Sequence, residues 1–192
     1  MKITTRILAG TTILSALVVV FDYALKFSGW KLPFPLFPDI KFDFTGIPIV
    51  LSLLLFGLIP GAMTSAVAFF AILARSGQLV GPSMKALAEF STILGMTIGI
   101  RLFRNSERLR KPVAFILGCI TRILTMFFAN LVIQPLYYGY SFIEALLFSP
   151  YIMIFNLVQG FLSMFGGYLI YEAIRRRFPS LSWEQIWASD HS

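Results

Sequence analysis

The sequence has almost none of the residues that usually carry chemistry, with one cysteine, Cys119, and one histidine, His191, among 192 residues. A single cysteine allows no intramolecular disulfide, and Cys119 lies in an apolar run where packing is its simplest role. His191 lies in a polar C-terminal stretch, and no serine, histidine and acid fall at a common depth. Metal catalysis and triad chemistry therefore have no residues to use. The phosphate-cradling pattern G-x-x-x-x-G-K-[ST] is also missing, so the chain is not expected to be an enzyme. Any energy for work has to come from a partner or an ion gradient. Charge is scarce too, at 13% of residues.

What fills the sequence instead is apolar: 57% hydrophobic residues, twenty phenylalanines and a mean hydropathy of +0.80. A soluble domain of this length has no interior large enough to hide such runs, so the chain reads as an all-α integral membrane protein. Six transmembrane helices are expected, over Arg6 to Lys26, Gly46 to Leu58, Gly61 to Ala74, Met84 to Phe103, Pro112 to Gln134 and Pro150 to Ile174. The second and third are short. They read either as tilted spans or as one re-entrant hairpin turning at Ile59, Pro60 and Gly61. Lys2 and Arg6 precede the first run as in a secretory signal, but no small-x-small site follows and the run continues through Leu25, which favours an uncleaved span.

Orientation follows from the bases. With the N-terminus inside, the inner side carries Lys2, Arg6, Arg101, Arg104, Arg108, Arg110, Lys111 and Arg175 to Arg177, whereas Lys26, Lys31, Lys41, Arg75 and Lys85 fall outside. Both termini are therefore expected to be cytoplasmic. The net charge of +7 is mainly a topology signal, and no nucleic-acid partner is expected from the arginine run. Residues 1–177 read as one membrane domain and 178–192 as a cytoplasmic tail.

The outer loop over residues 27–45 contains GWKLPFPLFPDIKFDF, whose three prolines and five aromatic residues make it stiff and apolar. It reads equally as a lid over the outer mouth or as an interfacial aromatic belt. A third outer loop, Leu136 to Ser149, holds Tyr137, Tyr138 and Tyr140. Inside the helices, Asn130, Gln134, Asn156 and Gln159 place amides at membrane depth, where an unpaired polar group costs several kcal/mol. Counting inward at the helical rise puts Asn130 about 6 Å, Glu89 about 7 Å, Asn156 about 9 Å and Gln159 about 13 Å from the outer ends, in one layer. Asn156, Gln159, Gly160, Ser163 and Gly167 form a polar and small stripe that has to face protein or a cavity.

Two charges at depth need an account. Arg122 has three choices: snorkelling to the inner surface, which costs least, pairing with Glu89 or Asp22, or contacting a ligand. Glu89 has Lys85 at i−4 on the same face as a candidate partner.

These segments carry a resemblance. The succession KFDFTGIPIVLSLLLFGLIPGAMTS, GPSMKALAEFSTILGMTIGI, NLVIQPLYYG and PYIMIFNLVQGFLSMFGGYLIYEAI resembles the substrate-binding S components of energy-coupling-factor (ECF) vitamin transporters, and among them the riboflavin-specific branch. Lys41 to Pro48 match the element that ends the first outer loop. Asn130, Pro135, Leu136 and Tyr137 match N-x-x-x-x-P-L-Y, and Phe155 to Gly160 match P-F-N-L-I-K-G in part. The chain departs at Gln159, where that branch usually carries Lys, and at Ala66 to Phe70 and Ala86 to Phe90.

The resemblance implies a plasma-membrane subunit that captures a vitamin, most specifically riboflavin, from outside. Its implied partners are a transmembrane coupling protein and two cytoplasmic ATPases, and riboflavin would be a transported ligand, not a cofactor. It implies substrate contacts from Asn130, Asn156, Gln159, Glu89, Phe42, Asp43, Phe44 and Tyr137, with Ala9, Thr12 and Ala16 docking on the coupling protein. Another flat vitamin or heterocycle satisfies the same residues. A structural scaffold, with the amides knitting helices together, is the reading from a different class, and it requires dry packing between the first, fourth, fifth and sixth helices.

Overall fold

The computed structural model describes residues 4–29, 31–35 and 37–178. Among them are six α-helices and one antiparallel hairpin: α1 (Thr5–Phe27), β1 (Leu32–Phe34), β2 (Phe37–Phe42), α2 (Gly46–Phe56), α3 (Leu58–Ser76), α4 (Val80–Leu102), α5 (Glu107–Tyr138) and α6 (Phe142–Arg177). The tail expected over 178–192, with its Trp183 to Trp187 segment, lies outside the described residues beyond Phe178. The hairpin is a feature the all-α expectation lacks. Its strands pair Leu32 with Phe42 and Pro33 with Lys41.

Four helices, α1, α3, α5 and α6, are long and apolar enough to cross a membrane. Their outward faces expose large apolar side chains such as Ile13, Phe70, Ile116 and Phe161, which suits lipid contact and identifies a membrane protein. α4 has the length, with 23 residues, but carries Lys85, Glu89 and Arg101. α1, α3, α4, α5 and α6 pack as successive neighbours, and α2 closes the ring between α6 and α1.

α2 explains the short second span. Its 11 residues are apolar all round and ten are buried, so it is a core helix enclosed by the others. At about 16 Å it covers only half of a bilayer core. It begins deep in the protein, where Gly46 lies against Ser163 and Glu89, and ends with Phe56 against Gly10 near the start of α1. α3 follows with no loop and is a full 19 residues, longer than the 14 expected. The break falls at Gly57, with φ 96° and ψ −176°, a conformation essentially restricted to glycine. It does not fall at Pro60, which sits in the first turn of α3 where a missing N–H costs nothing.

α5 and α6 also outrun their expected ends. The loop expected over Leu136 to Ser149 shrinks to 139–141. Gly139, left-handed at φ 73°, ends α5, and Ser141 opens α6 with a capping box to Glu144. Pro150, the expected start of the sixth span, is inside α6. Asn156 therefore lies fourteen residues into its helix, where six were expected.

Candidate functional site

At the hairpin end of the bundle, α4, α5, α6 and the hairpin enclose a cavity of about 530 Å³. Helical spacing selects its walls. On α5, Arg122, Met126, Asn130, Gln134 and Tyr138 recur every fourth residue and share one face, as do Phe148, Tyr151, Ile152, Phe155, Asn156 and Gln159 on α6 at steps of three or one. α4 contributes Met84, Lys85 and Glu89, and the chain leaving the hairpin contributes Ile40, Lys41 and Asp43. α1 contributes no lining residue, unlike the arrangement expected of a site between the first, fourth, fifth and sixth helices. The volume is that of a site for a small organic molecule.

The floor is an ion-pair network. Arg122, 2% exposed, donates from Nη1 to Glu89 Oε1 at 3.0 Å and to Thr92 Oγ1 at 3.1 Å, and from Nε to Asn156 Oδ1 at 3.2 Å. Snorkelling, the cheapest sequence reading, is therefore not what Arg122 does. Burying a lone guanidinium costs several kcal/mol, and a carboxylate on the facing helix offsets this better than a long reach to water. The arginine stem passes over Gly160, where a methyl group would lie 2.9 Å from Arg122 Cδ. Asp22, the other acid considered for Arg122, is fully buried between Lys31 at 2.7 Å and Arg75 at 2.6 Å.

Lys85 does not pair with Glu89 as the i−4 spacing suggests. It reaches across to the Asp43 carboxylate. Burial alone would push the Asp43 carboxyl up, but the Lys85 ammonium beside it and the Thr45 hydroxyl, which donates at 2.7 Å, hold it below the usual carboxylate range. Burial likewise pushes the Lys31 ammonium below the usual lysine range, against the pull of Asp22. The stretch from Asp43 to Thr45 dips below the hairpin. There Gln159 brackets the Asp43 backbone with both amide groups, 116 residues away in sequence.

Of the residues expected at the site, Asn130, Asn156, Gln159, Glu89 and Asp43 come together at the cavity. Phe42 does not line it directly but stacks on the lining residue Phe155, with ring centroids 4.9 Å apart. Phe34, 5% exposed, meets both rings edge-on, so this part of the loop packs over the helices as a cover rather than lying in a belt. Phe44 and Tyr137 are 42% and 58% exposed and are not lining residues. Tyr137 misses by one position. Adjacent helix residues point about 100° apart, and the four-residue rhythm through Asn130 and Gln134 selects Tyr138.

That same rhythm was the available signal for Gln134 and Met126. Arg122 falls on it too, four residues before Met126, whereas Lys85 gave no signal for its partner, because Asp43 lies on another element. Ala9, Thr12 and Ala16 lie exposed together on α1, away from the cavity. The Thr12 hydroxyl donates to the Leu8 carbonyl at 2.9 Å, which leaves that face effectively apolar.

No protein-family model and no curated relative matches the sequence. Among solved structures, the chain is similar to the S component of a bacterial ECF transporter, with a TM-score of 0.74 and 23% identity over 89% of this chain and 96% of that one. At that identity the likeness establishes a shared fold.

Proposed function

We propose that this chain, which shares the fold of an ECF-transporter S component, is itself the substrate-capture subunit of such an importer. The observation that carries this reading is the cavity. It lies under a hairpin at one end of a six-helix bundle and has aromatic and aliphatic walls with a few converging amides and charges, as small-molecule sites do. A scaffold would be packed dry at Asn130 and Asn156. The positive-inside distribution of bases supports an outward hairpin end, so ligand would enter under the hairpin from the outer face of the plasma membrane.

The ligand proposed is a flat, largely neutral vitamin, most specifically riboflavin. An isoalloxazine ring suits Tyr138, Tyr151 and Phe155 as walls, with Asn130 and Gln134 at its polar edge. Other flat heterocyclic vitamins remain the second reading, supported by Gln159, whose amide is engaged with Asp43 and so adds little to selection of a flavin. The exposed apolar face at Ala9, Thr12 and Ala16 is the proposed contact with a transmembrane coupling protein, through which two cytoplasmic ATPases drive uptake.

The test is purification in detergent followed by titration with riboflavin, read by quenching of flavin fluorescence. Saturable binding at micromolar concentration or tighter is expected. No quenching at tens of micromolar would remove riboflavin as the ligand.

A further inference from the structure

The end of the bundle opposite the hairpin concentrates its charge on three helices. The chain from Arg101 to Lys111 holds five bases and that from Glu172 to Arg177 three more, against two acids, Glu107 and Glu172. These stretches end α4, begin α5 and end α6. The junction of α2 with α3 reaches the same end, yet residues 47–74 contain no charge at all. A positive-inside bias sets the side of the membrane that bases take, not which helices carry them. Between α4, α5 and α6, three of the bases line a small cleft of about 30 Å³: Arg110, Lys111 and Arg175 share it with apolar Met96, Ile100 and Phe115, and no acid lines it.

Two of these cations share one carboxylate. Glu172 Oε1 accepts from Lys111 at 3.1 Å, and its Oε2 lies 3.9 Å from Arg175 Nε. The Tyr168 hydroxyl accepts from Lys111 at 2.7 Å and donates to Glu172 at 2.8 Å, which fixes the ammonium at the cleft. The Lys111 and Arg175 side chains are still 46% and 36% exposed, so a second anion can reach both. Bases above apolar side chains suit the headgroup of an amphiphile, and the small volume admits phosphate oxygens but not a whole soluble cofactor. Ile116 and Leu169, both exposed on the lipid side, lie within about two turns of Lys111 and Arg175 along α5 and α6. We propose that this cleft is a binding site for an anionic phospholipid of the inner leaflet. Its phosphate is held by Arg110, Lys111 and Arg175, and its chains lie along α5 and α6. A zwitterionic lipid brings its own ammonium to the same bases and gains less. The neighbours of α1 are α2 and α3, so the site lies away from the α1 face proposed for the coupling protein and is independent of what the cavity binds.

The experiment follows thermal unfolding of the purified full chain in detergent, titrated separately with phosphatidylglycerol, with phosphatidylcholine of the same chains and with inorganic phosphate. The variants are the double substitution Lys111→Gln with Arg175→Gln, the single Lys111→Gln, and Arg104→Gln, which removes a base of the same end outside the cleft. Phosphatidylglycerol is expected to raise the unfolding midpoint saturably by several degrees, with little response to the other two. The double variant is expected to need roughly ten-fold more of it, and Arg104→Gln to match the unmodified chain. If the double variant is not monodisperse, Lys111→Gln decides, with a several-fold loss expected. An equal response to phosphatidylcholine marks generic lipid contact, an equal response to phosphate marks a free-anion site, and equal losses in the cleft variants and Arg104→Gln mark diffuse surface charge. Each of these overturns the proposal. So does no response to any of the three, the result expected if an acidic protein partner occupies this face instead.

Discussion

Gln159 holds Asp43 by both ends of its amide: Nε2 donates to the Asp43 carbonyl at 2.8 Å, and Oε1 accepts from the Asp43 N–H at 3.3 Å. A side chain on α6 thereby pairs with the chain leaving the hairpin much as a neighbouring strand would. The Asp43 carboxylate is held separately by Lys85 on α4. The hairpin's lower end is thus fastened to two of the three helices that wall the cavity.

Gln159→Leu removes both bonds and is expected to loosen this fastening without emptying the core. Each is worth about 0.5–1.5 kcal/mol net, so ligand affinity is expected to fall by roughly 1–3 kcal/mol, mostly as faster dissociation. Stopped-flow measurement of ligand release checks this. An unchanged dissociation rate would mean that the hairpin does not retain the ligand.

Arg122→Met leaves Glu89 buried and unpaired, and a loss of about 3 kcal/mol or more is expected, visible as a lower thermal unfolding midpoint in detergent. Adding Glu89→Leu removes the stranded charge. The double variant is expected to recover most of that stability while remaining unable to bind ligand tightly. A double variant as unstable as Arg122→Met would show that packing of the arginine stem, not the charge, is what matters.

Asn130 and Asn156 are expected to separate. Asn156 Oδ1 accepts from buried Arg122, so Asn156→Ala is expected to lower both stability and binding by about 1–2 kcal/mol. Asn130 has no such role, and its side-chain bond is to the Met126 carbonyl one turn away on its own helix. Asn130→Ala is expected to weaken binding by at least about 1 kcal/mol with little change in unfolding midpoint. Equal effects on stability would contradict the network described for Arg122.

The Asp43 carboxyl is held below its ordinary range in the folded chain, so it binds its proton less readily there than when unfolded. Its contribution is present above the unfolded value of about 4 and is lost as pH falls through the lower folded value. Riboflavin binding is therefore expected to be flat from pH 8 to pH 5 and to weaken only below about pH 4. Asp43→Asn is expected to abolish that acid limb. A fall in affinity already at pH 6 would point to a different group.

Much of this was open to reading from the residues. The apolar segments, the buried polar layer and the stiff aromatic loop are local features of composition and period, and each corresponds to an element of the fold. Helix ends are less legible, although Ser141 and Glu144 spell a capping box that marks the start of α6 eight residues before Pro150. α2 was legible as short and apolar but not as a half-length helix packed against α1, α3, α4 and α6, because burial on all sides is set by its neighbours.

By itself the sequence determined that the chain enters a membrane, roughly where its helices run, and which amides and charges cannot face lipid. Those conclusions need only hydropathy, period and the cost of an unpaired polar group. The tertiary structure alone decided the pairings: Arg122 with Glu89, Lys85 with Asp43, and Gln159 with the Asp43 backbone. Each joins or aims residues through the rotation of a whole helix about its axis. That rotation is fixed by packing summed over the bundle, which no single stretch of sequence records.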